Sequence, residues 1–191
     1  MKLPPLILAS ASPRRAELLQ QHRFPFTIWA PNAAELAPEH LTPREAALVN
    51  AHRKARLAAK RFPDALVLGA DTVVCLGTRA YGKPATLADA ERMLRDLAGR
   101  THQVITGVCL IHSRGRRERL FAETTDVTFR PVSVHRLREY LSLIEPLDKA
   151  GAYAIQDHGD MIVERYDGSL SNVIGLPVER LREELAHWDE F

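Results

Sequence analysis

The sequence predicts a mixed α/β fold, a sheet flanked by helices. Three features carry that prediction: apolar runs of strand length, capping residues that open helices soon after them, and one pair of alternating segments joined by a tight turn. The first run, Leu6 to Ala9, is continuous enough for a strand covered on both faces. Ser12 and Pro13 then open a helix over 13–21. The serine can accept from the free amides of the next turn, and the proline suits a first position that needs no amide hydrogen. That helix turns Ala16, Leu18 and Leu19 inward and leads to a strand over 24–29. Thr42-Pro43-Arg44-Glu45 has the form of a capping box and starts a helix to residue 61. Ala47, Ala51, Ala55 and Ala58 give this helix a small-residue face, and Asn50 and Lys54 share the adjacent one.

Residues 65–75 form a nearly continuous apolar run with one charge, Asp71, at its centre. An unpaired carboxylate there would be costly, so Asp71 is expected to be paired, hydrogen-bonded or bound to a cation. Gly77 to Lys83 match seven positions of a phosphate-binding loop, but Pro84 occupies the place where that loop needs Ser or Thr, and a hairpin returning to Lys83 fits better. Thr86 caps a helix to residue 98, ended by Gly99. Segments 103–111 and 118–130 read as an antiparallel pair around a turn, with Thr125, Val127 and Phe129 on its covered face and Arg114, Arg116, Arg117 and Arg119 as a solvated tip. Ser133 caps a helix to 143, residues 147–156 form a shaped loop, and a strand over 161–166, a turn at 167–169 and a helix from Pro177 follow.

A length of 191 residues with 46% hydrophobic composition suits one domain over residues 1–191. The net charge of +2 argues against nucleic acid or a membrane surface as partner. Cys75 and Cys109 each lie in an apolar run and read as buried small hydrophobes, which suits a reducing cytoplasm. The N-terminal run is interrupted by Pro4-Pro5 and makes a poor secretory leader, and no stretch approaches the roughly 18 apolar residues of a membrane span. The eight histidines show no metal-ligand spacing, no C-x-x-C pair occurs and no G-x-S-x-G elbow is present, so zinc and serine-triad chemistry rank low.

The polar residues that remain form a coherent set. Ser10, Ser12, Arg14, Arg15, Lys54 and Lys83 are candidate anion binders, and Glu35 and Asp71 are candidate carboxylates for a divalent ion or an attacking water. Hydrolysis of a polyphosphate needs those parts: cations against the phosphate oxygens, a metal at the leaving group and a base at the water. A nucleotide-binding regulator without turnover is the competing reading, and Asp71 argues against it, because a carboxylate beside phosphates repels them unless a cation intervenes.

Leu8 to Arg15, Gly69-Ala70-Asp71-Thr72, Gly82-Lys83-Pro84, Thr106-Gly107-Val108, Asp148-Lys149-Ala150-Gly151 and Val173 to Pro177 together resemble the Maf (septum formation inhibitor-related) nucleoside triphosphate pyrophosphatases. The resemblance implies an inosine-triphosphatase-like fold: an elongated mixed sheet with two lobes around a cleft. It implies Mg2+- or Mn2+-dependent cleavage of a nucleoside triphosphate to monophosphate and pyrophosphate, and it is compatible with a homodimer. By the same resemblance Asp71 is the catalytic base, Glu35 helps to hold metal or water, and Ser10, Arg15, Lys54 and Lys83 contact phosphate. Arg14, Thr72 and Gln156 match the branch acting on dTTP and UTP, while a sister branch acting on 7-methyl-GTP is the alternative. Two positions depart from the pattern: Ala34 precedes Glu35 where an Asp-Glu pair is usual, and Asp157 follows Gln156 where glycine is usual.

Overall fold

The computed structural model describes residues 3–33 and 40–188. Glu35, and with it the Ala34 departure, lies outside the described residues. The strands are β1 (Leu6–Ala9), β2 (Phe26–Ile28), β3 (Leu66–Leu76), β4 (Arg79–Tyr81), β5 (Thr101–His112), β6 (Arg117–Phe129) and β7 (Val163–Asp167). They form one seven-stranded sheet in the order β2-β1-β3-β5-β6-β7, with β4 added to β3. β1 pairs in parallel with β2 and β3, while the pairs β3–β5, β5–β6 and β6–β7 are antiparallel, so the sheet is mixed as expected.

The helices are α1 (Pro13–Gln21), α2 (Pro43–Arg61), α3 (Leu87–Leu97), α4 (Val134–Leu143), α5 (Leu170–Ile174) and α6 (Val178–Ala186). The capping logic holds for most of them. Thr42 and Glu45 form a reciprocal box, and Thr86 and Ser133 each accept from an amide three residues on. It fails at Ser12, whose side chain makes no capping bond; there Ser10 Oγ accepts from the Ser12 amide at 3.2 Å. The short helix α5 was not foreseen, and the last strand starts later than expected because Gly159–Met161 forms a 3-10 turn.

One face of β3 is divided along its length between two cores. Leu66, Leu68 and Ala70 pack with Leu18, Leu19, Leu181 and Trp188 of the α1 and α6 side, while Val74 joins a second core with Leu94, Phe129 and Tyr140. On the opposite face, Val67 packs against Ala51, Ala55 and Ala58 of α2. Helix α2 lies unusually close to the sheet because Gly69 and Gly107 face it: a Cβ on Gly69 would stand 2.4 Å from the Ala51 carbonyl oxygen, and one on Gly107 would stand 2.5 Å from that of Ala47. Two glycines and an alanine stripe are thus what allow α2 to bring Asn50 and Lys54 down to the strand.

The second core holds His102, Phe129 and Tyr153 edge to face, with His102 Nε2 2.9 Å from the Tyr153 hydroxyl. Burial pushes His102 down to about 4, against the opposing pull of Asp126. Cys75 and Cys109 are both buried and free, and burial pushes both thiols up. The arginine cluster corrects its expectation in part. Arg114 pairs with Asp64 at the surface, but Arg117 donates to the Trp188 carbonyl and Arg119 to the His187 carbonyl and Glu184, so these two fasten the C-terminal end of α6. No helix of the described residues is long and apolar enough to cross a membrane.

Candidate active site

One edge of β3 is shared by two short strands. β1 covers Leu66–Gly69 and β4 covers Val74–Leu76, which leaves residues 70–73 paired only to β5 among the described residues. A cleft of about 620 Å3 opens at this gap. It lies at the carboxyl end of β1 and beside the start of α1, between the two cores. Ser10, Ser12, Arg14, Arg15, Lys54, Asp71, Thr72, Lys83 and Gln156 all line it. Every sequence-predicted site residue that the structure describes is therefore brought to one cavity. Asp71 and Thr72 point to opposite faces of β3, as successive strand residues must, and both still reach the cleft because the edge beside them is open.

Asp71 is held from α2. Lys54 Nζ donates to its Oδ1 at 2.7 Å and Asn50 Nδ2 donates to its Oδ2 at 3.2 Å; the Asp71 and Lys54 side chains are only 8% and 12% exposed. The buried charge inferred from sequence is thus matched by an ammonium one helical turn from its amide partner. Asn50 was visible as the residue four before Lys54, but only the structure gives it a function.

Arg15 is buried, and its guanidinium is turned along the wall. It donates from Nε to the Gly175 carbonyl at 2.8 Å, from Nη1 to Ser10 Oγ at 3.1 Å and from Nη2 to Thr72 Oγ1 at 3.0 Å. Arg14 crosses the rim to the 3-10 turn Pro146–Asp148, donating to Asp148 Oδ2 at 2.9 Å and to the Asp148 carbonyl at 3.3 Å. The buried Lys149 donates to the other carboxylate oxygen of Asp148 at 2.7 Å and to the Glu145 carbonyl at 2.6 Å. Burial pushes the Asp148 carboxyl up, but hydrogen bonds from Lys149 and Arg14 outweigh it and hold the group below its ordinary value. Asp148 and Lys149 sit in one of the sequence segments that carry the family resemblance, yet charge pattern alone gave them no role.

The next turn, Ala150–Ala152, bends through Gly151 and Ala152 with φ of 69° and 63°. A Cβ on Gly151 would meet Val74 at 3.0 Å, so this loop reaches the strand only with glycine there. Lys83 is exposed and makes no bond among the described residues, and Gln156 is exposed with a long 3.5 Å contact to Asp157. The cleft is polar and cationic at Ser10, Arg14 and Lys54, and apolar at Val74, Tyr81, Tyr153 and Ile174. That gradient suits a ligand with a charged end and a flat, weakly polar end.

No cluster of three or more His, Cys, Asp or Glu side chains able to hold a metal occurs among the described residues. Asp71, the shielded one of the two carboxylates that line the cleft among the described residues, still fits magnesium, which takes one or two carboxylates and completes its sphere with water and substrate phosphate.

The Maf-like protein family profile matches residues 5–188. A dTTP/UTP pyrophosphatase of Bacillus velezensis is 44% identical over 184 residues, covering 96% of each chain. Those of Akkermansia muciniphila and Symbiobacterium thermophilum are 44% and 46% identical, over 92% of this chain and 92% and 89% of theirs. Among solved structures, a HAM1 protein from Coxiella burnetii superposes with a TM-score of 0.57 at 17% identity, over 97% of this chain and 100% of that one. The Staphylococcus aureus Ham1 protein gives 0.52 at 14%, with the same coverage. At such identities these two speak for the fold alone, and they bear out the expected architecture.

Proposed function

Since the chain belongs to the Maf-like protein family, we propose that it hydrolyses nucleoside triphosphates, dTTP and UTP first among them, to the monophosphate and pyrophosphate. The observation that carries this reading is Asp71, a shielded carboxylate at the open edge of β3 in a cleft lined by Arg14, Arg15, Lys54 and Lys83, with a second carboxylate, Asp148, tied to Arg14 and Lys149 at the rim. Water attacks the α-phosphorus, its oxygen forms the new P–O bond, the bridging oxygen leaves with pyrophosphate, and Asp71 takes the proton. Lys54, 2.7 Å from Asp71, moves a positive charge between the carboxylate and the incoming phosphates, and so keeps Asp71 from repelling them.

Ser10, Ser12, Lys83 and the opening turn of α1 supply the remaining phosphate contacts; Arg15 holds Ser10 in place for them and steadies Thr72 on the base side. Asp71, with Glu35, would hold a divalent cation, Mg2+ or Mn2+, which when bound neutralises charge on the departing pyrophosphate. The base lies toward the apolar end, near Thr72 and Gln156. An amide at Gln156 both donates and accepts, as the uracil or thymine edge requires, whereas the 7-methyl-GTP alternative would call for a carboxylate acceptor. The chain acts as one domain on a small nucleotide, in the cytoplasm, and needs neither nucleic acid nor membrane.

A panel of nucleoside triphosphates with magnesium or manganese, assayed for pyrophosphate, tests the assignment. Release from UTP and dTTP is expected. Activity on 7-methyl-GTP without UTP would overturn the branch, and binding of UTP with no release of pyrophosphate would favour the regulator.

A further inference from the structure

We propose that Thr106 is a positioning residue: it fixes the Thr72 hydroxyl as a hydrogen-bond acceptor toward the cleft, and so biases the site toward a base that presents a ring N–H. The inference rests on the pyrophosphatase reading above and addresses what that site distinguishes among pyrimidines.

The argument is a count of hydrogens. Thr106 lies directly opposite Thr72 in the β3–β5 ladder and is fully buried. Its hydroxyl has one hydrogen, which it donates to the Asn172 carbonyl at 3.1 Å, since a carbonyl can only accept. At the 3.0 Å contact between the two threonine hydroxyls, Thr72 must therefore be the donor. Arg15 Nη2, 3.0 Å from Thr72 Oγ1, can only donate to it. The other group within reach is the Gly175 carbonyl at 3.5 Å, which already accepts from Arg15 at 2.8 Å and would draw the same hydrogen inward.

The chain of bonds thus has one direction, from Arg15 through Thr72 and Thr106 to the backbone of α5. Thr72 keeps one lone pair and no hydrogen for the cleft it lines. A lone pair disfavours phosphate oxygens and favours a donor on the sugar or base. The two substrates in the relatives' names differ at the sugar 2′ position and at C5 of the base, and their bases share an imide N–H between two carbonyls. Cytosine carries an unprotonated nitrogen at that place, so Thr72 as presented would face it lone pair to lone pair.

Thr106→Val removes the hydroxyl with little change of shape and leaves the Thr72 hydrogen only the long 3.5 Å contact to the Gly175 carbonyl, too weak to hold it inward against an acceptor in the cleft. The kcat/KM ratio of UTP over CTP is expected to fall about tenfold, in part through a gain on CTP, the size of one hydrogen bond made or left unmade. Thr106→Ser keeps the donor and should keep the ratio. Thr106→Cys, a weak donor and acceptor, should fall between, and it carries the test if the valine variant does not fold. Parallel loss on both nucleotides is what a merely structural role produces, and it would overturn the proposal, as would a ratio lost equally in the serine variant. Absence of pyrophosphate release from UTP by the unaltered protein would instead overturn the pyrophosphatase reading, and this proposal with it.

Discussion

Two carboxylates line the cleft among the described residues, Asp71 and Asp148, and each is gripped by two donors. Their settings are opposed. Asp71 stands mid-strand with its side chain 8% exposed, pressed by a helix that two glycines admit to the sheet; Asp148 stands on a 3-10 turn at the rim, 53% exposed. A shielded pair is strongly bound into the fold and cannot lose one partner without leaving the other uncompensated, whereas an exposed pair is screened and worth little. The α2 wall is therefore built to hold a charge in a fixed place, and the rim is built to let cations adjust to a ligand.

That contrast can be broken at three points. Asp71→Asn keeps the shape and the Asn50 contact but loses the base, and pyrophosphate release should fall by about 10²- to 10⁴-fold. Turnover at the unaltered rate, in a variant whose circular dichroism is native, would place the chemistry elsewhere. Next in size is Gly107→Ala. Its methyl would meet the Ala47 backbone at 2.5 Å, so α2 must lift, at a cost of about 1–3 kcal/mol. Thermal melting should record the loss, and kcat should fall with it as Asn50 and Lys54 draw away from Asp71; an unchanged kcat would show that the chemistry tolerates a displaced wall.

The smallest effect belongs to Asp148→Ala. Stability should change by about 1 kcal/mol or less, and KM for UTP should rise no more than about fivefold with kcat unaltered, less so at high salt. Because the Asp148 carboxyl is held below its ordinary value of 3.8, its contribution is present above that value and disappears as pH falls through the lower folded-state value. Melting curves of the two proteins should accordingly converge in acid. A KM effect as large as that of an Asp71 substitution on kcat would abolish the distinction between wall and rim.

Much of this was legible in the residues. Thr42 with Glu45, Thr86 and Ser133 marked their helices because a cap is a local event that tertiary packing seldom overrides. Asp71 was legible as a charge in an apolar run, and its partner Lys54 as a lysine beside an alanine face. What escaped depended on contacts distant in sequence. Ser12 reads as a cap from its neighbours, but Ser10 serves its amide. Arg117 and Arg119 read as a solvated tip until α6, some 65 residues away, supplies carbonyls and Glu184 to bind them. Thr106 looks like an ordinary strand residue and Asn172 lies in a helix the sequence did not announce, and their polarity becomes a property of the cleft only when the sheet register sets Thr106 against Thr72. Asp148 needed Arg14 brought to it across 134 positions of chain.

The two cysteines carry a different consequence. Cys75 and Cys109 lie on adjacent strands in the packed face beneath α2, 1% and 0% exposed, with no disulfide and with thiols that burial keeps protonated. A thiol-directed reagent is therefore expected to modify these positions only when the packed face beneath α2 opens, and the chain carries its own clock for that opening. Read at each of the two sites in turn, the clock distinguishes a helix that peels from one end from a fold that opens at once.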